Sequence, residues 1–380
     1  MENKAKEKRQ YVIINCLLLL ITILLGIYLY KIIQSNKQQI KVGYEQGVNF
    51  VQQLQEGTLN VESSDISLVK NNVNIEIKED IKYSEEYKFD NVFNSKYYYN
   101  QLDDCAKLIY DTIENNLYNM TAGNYEMKLS NEISDVLYED NGEEKLDYSF
   151  QSAWDALTQD RTDTFFIDIT NINLKIKKTT YGNKVNYALS IAPDSNEGYL
   201  LKGLENKQTV HAVLNSIRDQ RDSIISNASG SDYDKILQVH DWIIDNLEYE
   251  SNIENSNVYN LYGALIEKKA VCEGYAEAFK YILDEMRIPC ILVSGTATNS
   301  EGTTERHEWN YVQIDNKWYA VDSTWDDPVV KGFGYVSNSV KHKYFLIGSR
   351  EINRNHFANG QMTQNGQLFI YPKLESDNYK

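Results

Sequence analysis

Between residues 270 and 328 the apolar residues change period from helical to alternating, and this order dictates a helix followed by a hairpin. The stretch reads AVCEGYAEAFKYILDEMRIPCILVSGTATNSEGTTERHEWNYVQIDNKWYAVDSTWDDP. Cys272, Tyr275, Ala276, Phe279, Ile282, Leu283 and Met286 recur at helical spacing. A helix therefore starts at or beside Cys272, carries Arg287 in its last turn and ends before Pro289. A cysteine in that place meets the positive end of the helix dipole, where reactive thiols are found; the bland alternative is a buried structural cysteine. Gly274 weakens the helix but permits close approach of a substrate or a neighbouring strand.

Residues 307–314 and 318–323 are rich in aromatic and β-branched residues and flank Asp315-Asn316. A two-residue turn there pairs Ile314 with Lys317 and sets Trp309 opposite Asp322. His307 then shares the face of Trp309 and lies diagonal to Asp322, placed for an imidazole–carboxylate hydrogen bond. A one-residue change in the loop sends Asp322 to the other face, so the register is a sharp expectation. In chain order, Cys272, His307 and Asp322 can supply a nucleophile, its base and the group that orients the base.

The ordered set VCEGYAEAF, HEWNYV and WYAVDSTWDDP resembles the core of the transglutaminase-like superfamily, whose members carry a papain-like arrangement of a cysteine on a helix with histidine and aspartate on adjacent strands. The resemblance covers residues 233–348, beginning with YDKILQVHDWIIDNLEY. It implies that Cys272 is the nucleophile, His307 the base and Asp322 the orienting acid. It also implies acyl transfer or amide hydrolysis without choosing between them. The subgroup most resembled is that of bacterial membrane-anchored surface proteins, not the calcium-activated animal crosslinking enzymes.

Residues 11–30, YVIINCLLLLITILLGIYLY, form an apolar run in which Asn15 is the only strongly polar side chain. As a helix they span about 30 Å, the thickness of a bilayer core. Tyr11, Tyr28 and Tyr30 lie at its ends, where interfacial aromatics belong, and Cys16 is a small residue inside it. A cleavable signal peptide is the rival reading, but the run is longer than a signal core and no small-x-small site follows Gly26. Lys4, Lys6, Lys8 and Arg9 precede the span more densely than Lys31, Lys37 and Lys41 follow it, which puts the N-terminus in the cytoplasm and the bulk outside. The net charge is −17, and the +3 of residues 1–33 leaves −20 on the remainder. That balance excludes nucleic acid as a partner and favours cationic partners such as Lys-rich proteins or amines, although solubility explains it equally well.

Four cysteines in 380 residues make no disulfide framework. Residues 34–95 read as a stalk or small β element with two short strands in SDISLVKNNVNIEIKEDIKY. Residues 97–117 place Leu102, Cys105, Ala106, Ile109, Ile113 and Leu117 on one helical face, so Cys105 belongs to the core. A short helix over 150–157, a hairpin of 165–178 with 185–192, and a long helix over 207–226 follow. Ser231 or Asp232 caps a helix over 233–247 in which His240 is a satisfied core histidine, not a catalytic partner of Asp241. Asn257 caps a short helix over 259–269, Cys290 begins a buried strand, and a polar loop over 298–306 flanks the candidate site. His342 and His356 have no partner at a recognisable spacing, and QLFIYP reads as a strand near the C-terminus.

The expected fold class is α+β: a cytoplasmic tail (1–10), a transmembrane anchor (11–33), the stalk (34–95), an N-terminal α+β region (96–230), a papain-like core (231–350) and a C-terminal strand and tail (351–380). The expected function is cysteine acyl chemistry on a protein or peptide amide at the cell surface, by a protease, amidase or crosslinking transferase. No cofactor or metal is expected. The alternative is a noncatalytic module that uses the same groove to bind a surface protein or peptidoglycan.

Overall fold

The computed structural model describes residues 59–68, 85–89, 96–204, 206–250, 256–327 and 338–380. The expected tail and membrane span lie outside them, as does most of the stalk. Among the described residues no helix is long and apolar enough to cross a membrane. The chain divides into two compact units, residues 1–62 with 178–186 and residues 63–177 with 187–380. In the smaller one, Lys178 reaches Glu62 at 3.0 Å and Gly182 takes φ 56° at a hairpin tip.

The elements are mixed. Its principal helices are α1 (Asp104–Glu114), α2 (Gly142–Asp160), α3 (Lys207–Ser226), α4 (Asp232–Asn246), α5 (Cys272–Glu285) and the single turn α6 (Ser323–Asp326). Strands β1 (Leu59–Ser67), β2 (Met127–Lys128), β3 (Ile172–Tyr181) and β4 (Lys184–Pro193) form an antiparallel-paired sheet in the order β1-β3-β4-β2 where β2 meets β4. A two-residue parallel ladder of β5 (Glu248–Tyr249) and β6 (Lys269–Ala270) brings the end of α4 beside the start of α5. The second sheet has the order β10-β7-β8-β9, from β7 (Cys290–Thr298), β8 (Thr304–Ile314), β9 (Lys317–Val321) and β10 (His356–Ala358). Buried Phe279, Ile282 and Leu283 of α5 and Val293, Trp309 and Val312 of this sheet belong to one hydrophobic core.

Where the elements depart from expectation, side-chain hydrogen bonds give the reason. Residues 97–117 are not one helix: α1 begins only after Asp103, whose carboxylate caps Ala106 N at 2.7 Å. Helix α2 runs 19 residues, far beyond 150–157, because its buried face mixes Gln151, Ser152, Asp155 and Asp160 with apolar residues. Those polar groups are satisfied by tertiary hydrogen bonds; Asp160 accepts from Tyr98 N at 3.1 Å and Tyr99 N at 3.0 Å. In place of a helix over 259–269 the chain makes a 3₁₀ turn (Ser256–Tyr259) and a π turn (Gly263–Glu267), braced by Asn257 donating to Glu267 at 2.8 Å. The expected loop over 298–306 is shorter, residues 299–303 between β7 and β8, with a tight turn through Gly302 at φ 84°. QLFIYP forms only an isolated bridge: Phe369 N donates to Gly360 O at 2.9 Å, but Gln367 N and Ile370 N go to the side chains of Ser152 and Gln101.

Candidate active site

Helix α5 starts at Cys272, with Val271 as its N-cap. Its first turn lies against residues 256–260: Val271 N donates to Val258 O at 2.9 Å, and a Cβ on Gly274 would sit 2.8 Å from that same oxygen. The close approach foreseen at Gly274 is thus to backbone of the preceding turn. Two buried hydrogen bonds then fix the helix on its surroundings. Asn310 of β8 donates to Ala276 O at 3.0 Å, and Tyr275 donates to Asp327 at 2.6 Å.

The β8–β9 hairpin turns at Asp315 and Asn316, with φ of 50° and 59°, the left-handed pair that a two-residue turn matched to strand twist requires. Ile314 pairs with Lys317 and Asn310 with Val321, which is the expected register. One step further on, Asp322 leaves the strand as the N-cap of α6, its Oδ1 accepting from Trp325 N at 3.0 Å. Its Oδ2 lies 2.8 Å from His307 Nε2. His307 stacks on Trp309 at 5.9 Å between ring centroids and lies 5.5 Å from Trp325, so the ring is clamped on two sides. Burial opposes charge on His307, but Asp322 and a hydrogen bond with Cys272 outweigh it and hold the imidazolium up to about 10. For Asp322 burial likewise disfavours charge, and the His307 and His356 contacts win, holding it well below the usual carboxylate range.

His356, for which the sequence offered no partner at a recognisable spacing, lies 3.0 Å through Nε2 from the same Asp322 oxygen. Strand β10 brings it there by pairing His356 with Ala297 of β7. Gly295 lets β10 come so near, since a Cβ on it would meet Phe357 O at 2.2 Å. Spacing in the sequence carries no sign of this contact. His342 is partnered too, by Asp241 at 2.6 Å. His240 is fully buried as expected, yet it touches two carboxylates, Asp241 at 3.2 Å and Asp326 at 3.3 Å.

Three carboxyl groups beside the site were also missed. Burial pushes Glu273 up, and burial with the charge of Glu273 pushes Glu308 up to about 8, against a hydrogen bond from Ser294 at 3.1 Å. Glu277 is raised well above the carboxylate range by burial and then by Glu308 and Glu273. Glu308, raised to about 8, holds its proton at neutrality and can donate a hydrogen bond next to His307. The signal of all three carboxyls was present in the sequence, as acidic residues four apart on α5 and immediately after His307. Among the described residues, two groups bring three metal-type donors within 4.8 Å of one another, His307 with Asp322 and His356, and His240 with Asp241 and His342.

A helix-borne thiol beside a strand-borne imidazole held by a carboxylate is the arrangement of papain-like thiol chemistry. Residues 220–323 match the family model of the transglutaminase-like superfamily, a range that contains Cys272, His307 and Asp322. Kyphoscoliosis peptidase of Mus musculus is 25% identical over 158 residues, covering 38% of this chain and 23% of that protein. Kyphoscoliosis peptidase of Homo sapiens is 23% identical over 185 residues, covering 44% and 27%. The chain thus spans about a quarter of the length of the curated relatives it matches. A solved TGase structure aligns at 17% identity with TM-score 0.28, over 45% of this chain and 48% of that one.

Proposed function

We propose that this chain is a cysteine enzyme that cleaves or transfers an amide acyl group of a protein or peptide through Cys272, His307 and Asp322. The observation that carries the reading is the 2.8 Å contact of His307 Nε2 with Asp322, which leaves the other imidazole nitrogen for the Cys272 thiol. In the first half-reaction Cys272 Sγ bonds to the amide carbon, and the oxygen charge develops towards the N–H groups opening α5. His307 gives its proton to the leaving nitrogen as the C–N bond breaks. In the second, water or an amine attacks the thioester, His307 takes its proton, and the C–S bond breaks to return the sulfur to Cys272. The peptidase names of the two mammalian relatives support an amide substrate. We propose further that residues 11–33 anchor the chain in a membrane with the site outside, on the strength of the apolar run and its basic flank.

The test is intact-protein mass spectrometry of the full chain in nonionic detergent during turnover of a peptide library, with and without a primary amine. An acyl adduct on Cys272 that is absent in Cys272→Ala is expected. Products carrying the amine identify a transferase, and hydrolysis alone a peptidase. If neither an adduct nor turnover is ever detected while both proteins retain partner binding, the noncatalytic module replaces the enzyme.

A further inference from the structure

We propose that His240, Asp241 and His342 form a binding site for a first-row divalent cation, Zn²⁺ foremost, built against the far end of α6 from Asp322. Asp326, the last residue of α6, is fully buried and accepts from Tyr344 N through both carboxylate oxygens, at 3.0 Å each. Beside it, His240 Nε2 lies 3.3 Å from Asp326 Oδ2, an ion-pair contact outside hydrogen-bond alignment. His240 Nδ1 faces Asp241 Oδ1 at 3.2 Å, donating to it when the ring is protonated and leaving a lone pair beside a carboxylate when it is not. A positive charge belongs between them, either the imidazolium proton or a cation that displaces it. His342 Nε2 reaches the same Asp241 oxygen at 2.6 Å and supplies the third donor.

Two imidazoles and a carboxylate are a donor set suited to zinc. Zinc keeps such donors about 2.0–2.2 Å from itself, so gathering three atoms already within 4.8 Å of one another needs shifts on the order of 1 Å. The Asp326–His240 contact matches the carboxylate that typically orients a metal-bound histidine through its second nitrogen. An entry path exists, since the side chains of Asp241 and His342 are 40% and 24% exposed. A bound cation would clamp α4 to the segment carrying His342. Through Asp326 it would also brace α6, whose N-cap is Asp322.

Full chain stripped with a chelator and desalted after addition of Zn²⁺ alone should retain one metal ion per chain by elemental analysis, with a raised Tm. His342→Ala and Asp241→Asn, both at partly exposed positions, should each weaken Zn²⁺ binding at least tenfold while keeping the circular dichroism of the parent. Should one of them fail to fold, the other is read alone. Cys272→Ala and His356→Ala should retain the metal; loss in His356→Ala would place it at His307, Asp322 and His356, and loss in Cys272→Ala on the thiol. Absence of bound Zn²⁺, full retention in His342→Ala or Asp241→Asn, or loss in Cys272→Ala or His356→Ala overturns the proposal.

Discussion

Asp322 concentrates the site's geometry in one side chain. Its Oδ2 receives His307 and His356, and its Oδ1 receives Trp325 N, a load that a carboxylate with two lone pairs on each oxygen can bear. An asparagine cannot: whichever way its amide turns, an NH₂ group confronts either two imidazoles or the Trp325 N–H. Asp322→Asn should therefore leave the fold intact, since size and polarity are kept, but misorient His307. We expect kcat to fall by about 10³–10⁴, the scale seen when a triad aspartate is so replaced, with KM little changed. Steady-state kinetics beside circular dichroism check it, and a variant within tenfold of the parent would remove Asp322 from the mechanism. At this scale the sequence was legible where contact is local. The turn residues set the register, and the register set His307 against Asp322. His356 was illegible because a three-residue edge strand delivers it from 34 positions away. His342 comes to Asp241 from 101 positions away, again without a pattern to announce it.

Helix α5 presents the thiol, and Gly274 decides how closely the helix can seat. In an exposed helix Gly→Ala is stabilising by about 1 kcal/mol. Here the added Cβ would lie 2.8 Å from Val258 O and 2.8 Å from Ala270 Cβ, and the oxygen belongs to backbone that already accepts from Val271 N. Overpacking of that kind costs about 1–3 kcal/mol, so the contact outweighs the propensity gain and Gly274→Ala should lower Tm by several degrees. The displaced helix start carries Cys272 with it, and an error of about 1 Å in a reacting atom costs about a hundredfold in kcat/KM. Thermal melting and kinetics on one preparation would decide; a raised Tm with unchanged kcat/KM sinks the packing argument. Elements with unbroken apolar periodicity, α3, α4, α5 and the β8–β9 hairpin, were readable. Helix α2 was cut short in the reading because its first turns, from Gly142 to Ser149, are mostly polar, and because Asp160 at its end is buried by a tertiary hydrogen bond that periodicity cannot foresee. QLFIYP failed in the opposite sense, having strand composition but donating its backbone to Ser152 and Gln101.

Over the whole molecule, charge and buried carboxyls pull stability in one direction with pH. The chain carries −17 at pH 7, so acidification relieves self-repulsion. Burial pushes Asp155 up to about 7, Asp160 up to about 6 and Glu308 up to about 8. A carboxyl whose folded pKa is raised binds its proton more tightly folded than unfolded. Its contribution is whole below the unfolded value of about 4 and is lost as pH rises through the folded one. His307, raised from 6.5 to about 10, has the same sign at higher pH. Asp322 runs the other way: its depressed pKa contributes stability above the unfolded value of about 3.9, lost as pH falls through the folded one. Between those limits every cited raised group favours the acidic side. We therefore expect the full chain in nonionic detergent to melt higher at about pH 5.5 than at about pH 8.5, by about 5 °C or more. Added salt should recover only the part owed to surface repulsion, because buried groups are screened much less. Asp155→Asn, which keeps the contact to Thr363 without an ionisable proton, should flatten the slope between the two pH values while leaving the salt response alone. A Tm that rises from the acidic to the alkaline condition at matched ionic strength would mean that these carboxyls are ionised in the folded state and satisfied by partners, and that burial does not set their protonation.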